Sequence, residues 1–348
     1  LRDYPPYSIS GKRELLTKEE IEVDRKIRTF VLECMELVVE HHFLWGEQNK
    51  KLIQLQPGYI RYGINLHDGG FHRMVSRSFR KFFSMLDVSG WDRSFPLARA
   101  CQRLRRKGME EWFRQHGTEM PKEIDERIKR ADNAYCEPTL LLPTGDVVRI
   151  TWGQPSGSVL TTSNNCIGHN IIENYKLIKA CPTATDDEIV SQGVNLYGDD
   201  IFAGYDEQFS ALRNENFVNQ IYQEFGMMVK KGSFRAQDTP DGLSFLGGTC
   251  RSFKRGKQIF FVPSYNRDRV MAGLQMSIDK LGPDDELMKV YSLLELGWFD
   301  CYDEITSYMK FLLGVLPRSN VVDSFLSRGV PSREGIMLAW AGQTAAAV

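Results

Sequence analysis

The residues of this chain best placed for chemistry are acidic and fall in two short stretches. Tyr197-Gly198-Asp199-Asp200 lies between the runs Val194, Asn195, Leu196 and Ile201, Phe202, Ala203, so two adjacent carboxylates stand at the tip of an expected hairpin. Met85-Leu86-Asp87-Val88-Ser89-Gly90-Trp91-Asp92 places one aspartate at a strand end and a second five residues on. Carboxylates from two separate strand ends can clamp divalent ions such as Mg²⁺, with Mn²⁺ as an alternative, and two such ions serve phosphoryl transfer. On this reading Asp87, Asp199 and Asp200 are the metal ligands, and Asp92, past Gly90, has a hydrogen-bonding role. Taken alone, each stretch is also compatible with an ordinary polar turn, because Gly-Asp steps connect hairpins widely.

A third stretch, Gly153 to Asn165, is dense in small and hydroxylated residues and opens a helix. Such a loop offers backbone N–H groups to a phosphate-bearing ligand, and a plain helix start is the competing reading. Thr161 and Asn165 are four apart and share one helix face.

The elements that must position these residues can be read around them. Periodicity predicts a helix within 18–50 and a strand over 81–88. Ser94 is expected to cap a helix with Pro96 in its first turn that reaches Gln115, and another helix follows Pro121 to Asn133. A hairpin is expected at 139–142 and 147–151, a helix over 158–180, two strands meeting at the Gly-Asp-Asp turn, and a helix over 207–225. Extended pieces at 243–250 and 258–262 flank a basic turn, Lys254 to Lys257. From Tyr265 onward the pattern is helical, with Pro283, Pro317 and Pro331 as breaks. That order suits an α+β core with an appended helical part.

Composition limits the alternatives. The 348 residues are 42% hydrophobic and 26% charged, enough to bury a sizeable core. The net charge of -1 gives no global sign of nucleic-acid binding, so any such site must be a local channel lined by basic clusters such as Arg73 to Lys81 and Arg103 to Lys107. Seven scattered cysteines without a Cys-x-x-Cys pair point to reduced thiols in a cytosolic setting, and the six histidines lack zinc-ligand spacing. His169 stands alone on its expected helix and reads as a core or surface residue. No apolar run reaches the length of a membrane span.

Together these stretches resemble the RNA-dependent RNA polymerases of positive-strand RNA viruses, most of all the picornavirus, calicivirus and astrovirus group. Asp87 with Asp92 resembles motif A. Pro155-Ser156-Gly157 with Thr161 and Asn165 resembles motif B, and Tyr197 to Asp200 resembles motif C. Upstream, Lys12-Arg13-Glu14-Leu15 and Lys26-Ile27-Arg28-Thr29-Phe30 resemble motif F; downstream, Phe245-Leu246-Gly247-Gly248 resembles motif E. The five motifs run in the family's order.

The resemblance implies a right-hand polymerase fold with fingers, an antiparallel-sheet palm and a helical thumb. Partial fingers would occupy 1–80, palm 81–93, a fingers insertion 94–140, palm 141–262 and thumb 263–348. Family members carry more fingers sequence ahead of motif F than residues 1–11 supply here, so the fingers are expected to be truncated. The implied function is template-directed RNA synthesis from NTPs in viral genome replication. Asp87 and Asp199 would bind two ions with Asp200 assisting. Lys12, Lys26 and Arg28 would meet the triphosphate. Asp92, Ser156, Gly157, Thr161 and Asn165 would line the nucleotide site, where Asp92, Asn165 and Ser156 sense the ribose 2′-hydroxyl.

The family's motif D lysine falls among Lys230, Lys231 and Arg235, with Lys231 preferred. Implied partners are an RNA template, a primer or product strand, a protein primer and other viral replication proteins. The implied location is the host cytoplasm, at membranes reached through partners. A reverse transcriptase shares the Tyr-x-Asp-Asp turn but places a bulky aromatic where Asp92 and Asn165 would sense the hydroxyl. A catalytically silent RNA-binding module is the third alternative.

Overall fold

The computed structural model describes residues 4–11, 21–22, 29–151, 153–276 and 281–343. Lys12, Lys26 and Arg28 lie outside the described residues. The chain divides into two compact units, Leu1–Ile64 with Arg80–Asp238, and Asn65–Phe79 with Thr239–Val348.

The strands of the first unit are β1 (Tyr7–Gly11), β2 (Thr29–Leu32), β3 (Phe82–Leu86), β4 (Thr139–Leu141), β5 (Val147–Arg149), β6 (Gly193–Tyr197), β7 (Asp200–Tyr205) and β8 (Arg235–Gln237). They form two four-stranded sheets, in the orders β2-β1-β4-β5 and β6-β7-β3-β8. The second sheet is antiparallel throughout and holds both acidic stretches. Its three longer strands are buried almost residue for residue, without the alternation of a half-exposed sheet. Such runs belong to strands covered on both faces. The long helix Thr161–Ala180 packs on β6 and supplies part of that cover.

Three sequence expectations are corrected here. Residues 29–32 form β2, inside the stretch expected to be helical. Thr29, Phe30 and Val31 favour extended backbone, and β1 provides the partner that makes it worthwhile. The helix proper runs from Met35 to Leu55. Ser94 does not cap the next helix. It ends a short helix, Trp91–Ser94, and donates its hydroxyl to the Gly90 carbonyl at 3.1 Å, while the long helix starts at Ala98, beyond Pro96. The expected helix over 207–225 is split: a 3₁₀ segment ends at Arg213, and Asn214 restarts the chain by accepting from the N–H groups of Asn216 and Phe217.

The second unit holds an antiparallel sheet of β9 (Ser244–Phe245), β10 (Gly248–Arg255) and β11 (Gln258–Ser264). Five described helices follow, from Arg267 to Trp340. All three prolines mark boundaries in the helical run: Pro283 opens a helix, where the first turn has no use for its missing N–H, and Pro317 and Pro331 fall between helices. The helix Gly70–Arg77 joins this unit through His72, whose Nδ1 accepts from the Phe261 N–H at 3.2 Å.

Candidate active site

The acidic hairpin is built by register. β6 and β7 pair Tyr197 with Asp200, which leaves a two-residue loop of Gly198 and Asp199. Gly198 has φ +66 while Asp199 stays at negative φ, the requirement of a type II′ turn with glycine first. Asp199 is thus exposed in the loop, and Asp200 is the first residue of β7. On its other edge β7 pairs with β3, Ile201 opposite Leu86. One further step of that antiparallel register sets Asp87 across from Asp200, on strands ~4.8 Å apart.

The electrostatics follow from this convergence. Burial, with Asp199 and Asp87 close by, pushes the Asp200 carboxyl up to about 7. Among the described residues no group of three or more His, Cys, Asp or Glu is close enough to hold a metal ion as it stands. The donor set nevertheless suits a hard cation, since all three groups are carboxylates and their mutual repulsion is what a divalent ion would relieve. Asp87, Asp199 and Asp200 are therefore the residues that fit such an ion.

A second segment closes over Asp87. The Lys230 N–H donates to the Asp87 carbonyl at 2.8 Å, and the Ser89 N–H donates to the Met228 carbonyl at 2.8 Å. The Ser233 hydroxyl oxygen accepts from the Asp87 N–H at 3.0 Å. These contacts bring the Lys230 ammonium to 3.9 Å from Asp87 Oδ2. Arg235 instead turns its guanidinium onto the Gly232 and Phe234 carbonyls, and Lys231 is exposed. Of the three basic residues in this loop, Lys230 stands beside Asp87.

The polar network beside the hairpin centres on Asn165. Its amide donates to Asp92 Oδ1 at 3.4 Å, and its carbonyl accepts from Trp91 Nε1 at 2.7 Å and from Gln154 Nε2. Gln154 also donates to Asp92 Oδ1 and accepts from the Tyr135 hydroxyl. Asp92 and Asn165 therefore do meet. Trp91, Gln154 and Tyr135, which hold them, escaped the sequence reading; Gln154 was visible inside the glycine-rich stretch.

The loop that carries Ser156 and Gly157 is pinned from outside. Gly157 bridges to Leu32 of β2, and a Cβ there would overlap the Val31 carbonyl. The Thr161 hydroxyl is engaged within its own loop. It is buried and donates to the Pro155 carbonyl at 2.6 Å. The loop is not an open anion cradle. The Ser158 and Thr161 N–H groups go to loop carbonyls, that of Leu160 to the Ser158 hydroxyl, and that of Val159 to the buried Glu33 carboxylate. The Val159 N–H is thus directed at an acid of the chain itself. Ser156 is half-buried.

The helix Thr161–Ala180 underlies the whole arrangement. At one end the Gly198 N–H donates to Cys166 Sγ at 3.1 Å. At the other, Tyr205, the last residue of β7, donates to Glu173 at 2.6 Å, and Lys176 pairs with Glu173 at 2.7 Å. Both charges are fully buried, so removing either one alone would cost about 3–5 kcal/mol. The hairpin is thus tied to one helix at its tip and at its far end.

In the second unit the Phe245 to Gly248 stretch is also a two-residue hairpin, with Leu246 at φ +51 and Gly247 at φ +77.

Comparison with known proteins bears on these features. Residues 3–299 match the family model described as viral RNA-dependent RNA polymerase. The chain is 28% identical over 291 residues to the non-structural polyprotein 1AB of Turkey astrovirus 2, covering 79% of this chain and 17% of that protein. It is 26% identical over 321 residues to the polyprotein of the same name from Turkey astrovirus 1, covering 88% of this chain and 19% of that protein. A third such polyprotein, from Mink astrovirus 1, is 28% identical over 207 residues, 52% of this chain and 14% of its own length. The chain thus spans less than a fifth of the length of these relatives.

Proposed function

Since the chain belongs to the viral RNA-dependent RNA polymerase family, we propose that it adds ribonucleoside monophosphates from NTPs to an RNA 3′ end in viral genome replication. The observation that carries this reading is the register of β3 and β7, which brings Asp87 to the Gly-Asp-Asp turn of a buried sheet. Divalent cations, when bound, would lower the pKa of an attacking 3′-hydroxyl and screen charge on the triphosphate.

In this reading Asp87, Asp199 and Asp200 hold the cations. Lys230 stands where it can give a proton to, or screen, departing pyrophosphate. Asp92 and Asn165 meet the ribose 2′-hydroxyl, and Trp91 and Gln154 fix the orientation of the Asn165 amide. Lys12, Lys26 and Arg28 contact the triphosphate. The β6-β7-β3-β8 sheet is the palm, the helices between β3 and β4 belong to the fingers, and residues 263–348 are the thumb. Template and primer RNA are the partners, with a protein primer and other replication proteins at host cytoplasmic membranes. Among the described residues no helix is long and apolar enough to cross a membrane.

A primed RNA template, Mg²⁺ and either NTPs or dNTPs test the proposal. Extension with NTPs and little with dNTPs is expected. Asn165→Ala or Asp92→Ala should erode that preference by about tenfold, the worth of a lost hydrogen bond of ~1.4 kcal/mol. Extension with neither substrate would refute the polymerase reading, and efficient use of dNTPs would favour a reverse transcriptase.

A further inference from the structure

The peptide of Gly198 is held in an unusual way. Its N–H goes to Cys166 Sγ, and its carbonyl lies 3.1 Å from His169 Nδ1, so both polar groups end on the same helix three residues apart. Nothing stands within 4 Å of where a Cβ at Gly198 would be, so side-chain packing at that position does not fix the turn. A carbonyl only accepts, and therefore Nδ1 carries the hydrogen. Nε2 is then the acceptor for the Tyr222 hydroxyl, 3.1 Å away.

His169 is itself fully buried, with the Trp91 ring 4.7 Å away, centre to centre. Burial depresses its pKa to about 3, which keeps the imidazole neutral. Trp91 in turn donates to Asn165, one helical turn before His169. One rigid helix therefore sets both the ribose-side network and the acidic turn.

We infer that His169 is a positioning residue for the acidic turn, its Nδ1–H fixing through the Gly198 carbonyl where Asp199 and Asp200 stand; this rests on the polymerase reading of those two aspartates. Groups that orient metal-binding side chains from behind commonly govern metal affinity and rate by 10- to 100-fold. His169 has that relation to the pair through the Gly198 peptide.

Two isomeric substitutions separate this role from mere core filling. In His169→Asn the amide falls near the place of Nδ1 and can still donate to Gly198. In His169→Gln it falls near Nε2, toward Tyr222, and leaves the Gly198 carbonyl unpaired. Calorimetric titration with Mn²⁺, with thermal melts to verify folding, is paired with primer extension on the same proteins. His169→Gln should weaken Mn²⁺ binding and slow nucleotide addition on the order of 10- to 100-fold. His169→Asn should stay close to the unmodified chain in both. Equal Mn²⁺ affinities for two folded variants would overturn the inference. Wild-type chain that binds Mn²⁺ but extends no primer would overturn the polymerase reading instead, and the affinity difference would still decide the role of His169.

Discussion

Two of the described hairpins that end in two-residue loops with positive φ, Gly198-Asp199 and Leu246-Gly247, are stabilised in opposite ways. At Gly198-Asp199 the strained position is a glycine, and its peptide is bonded on both sides to a buried helix. At Leu246-Gly247 both residues are left-handed, as a type I′ turn requires, and one of them is a leucine. A Cβ there costs about 1–2 kcal/mol. The first loop has little local strain and much external support; the second accepts strain in the loop itself. A two-residue reversal thus rests on tertiary hydrogen bonds in one place and on the pairing of β9 with β10 in the other.

The largest expected effect separates the two loops by chemistry. Asp199→Ala should abolish nucleotide addition while RNA binding, measured by filter retention, stays near wild type; near-normal turnover would remove Asp199 from the ion site. Next comes the segment that buttresses Asp87. Lys230→Ala should slow addition by about 10²-fold, in the range of general acid–base assistance, with Lys231→Ala nearly neutral. The reverse order would restore Lys231 as the relevant lysine. The 3.9 Å pair with Asp87 is solvent-exposed and adds little to stability, so the two variants should melt alike.

A smaller effect concerns pH. A free aspartate ionises near 4, whereas Asp200 in the fold does so at about 7. The folded chain therefore keeps a proton that the unfolded chain has lost, and stability falls as pH rises from about 4 through 7. A divalent cation should cancel that loss by favouring the carboxylate. Melting temperatures from pH 5 to 8 with EDTA or with Mn²⁺, referenced to Asp200→Asn, measure it; parallel curves would contradict the account. The smallest effect belongs to the other hairpin. Leu246→Gly should stabilise the chain by ~1 kcal/mol in urea unfolding if strain relief outweighs the entropy of the added glycine, and a loss of stability would show that the Leu246 side chain matters more than its backbone.

Much of the site was legible because its chemistry is local. Asp87, Asp199 and Asp200 declare themselves as carboxylates at strand ends, and Asp92 and Asn165 as polar residues where chain direction changes. Spacing along a helix shows which residues share a face but not what that face meets, and the Thr161 hydroxyl meets the Pro155 carbonyl of its own loop. The same holds for His169. A lone histidine has no motif, and its meaning depends on a carbonyl 29 residues away. Residues 29–32 are a strand that local pattern does not reveal, because a short stretch such as Thr29 to Leu32 becomes one only when an edge is offered to it, as β1 does.

By itself the sequence determined the strand-turn-strand at Gly198-Asp199, the carboxylates that stand there and the resemblance to viral RNA polymerases, since those depend on residue type and on spacing along the chain. The tertiary structure alone decided that Asp87 stands across from Asp200, that Lys230 rather than Lys231 lies beside it, and that one helix grips the turn through Cys166 and His169. Those facts arise from strand register and from the three-dimensional meeting of distant segments, and no local pattern encodes either.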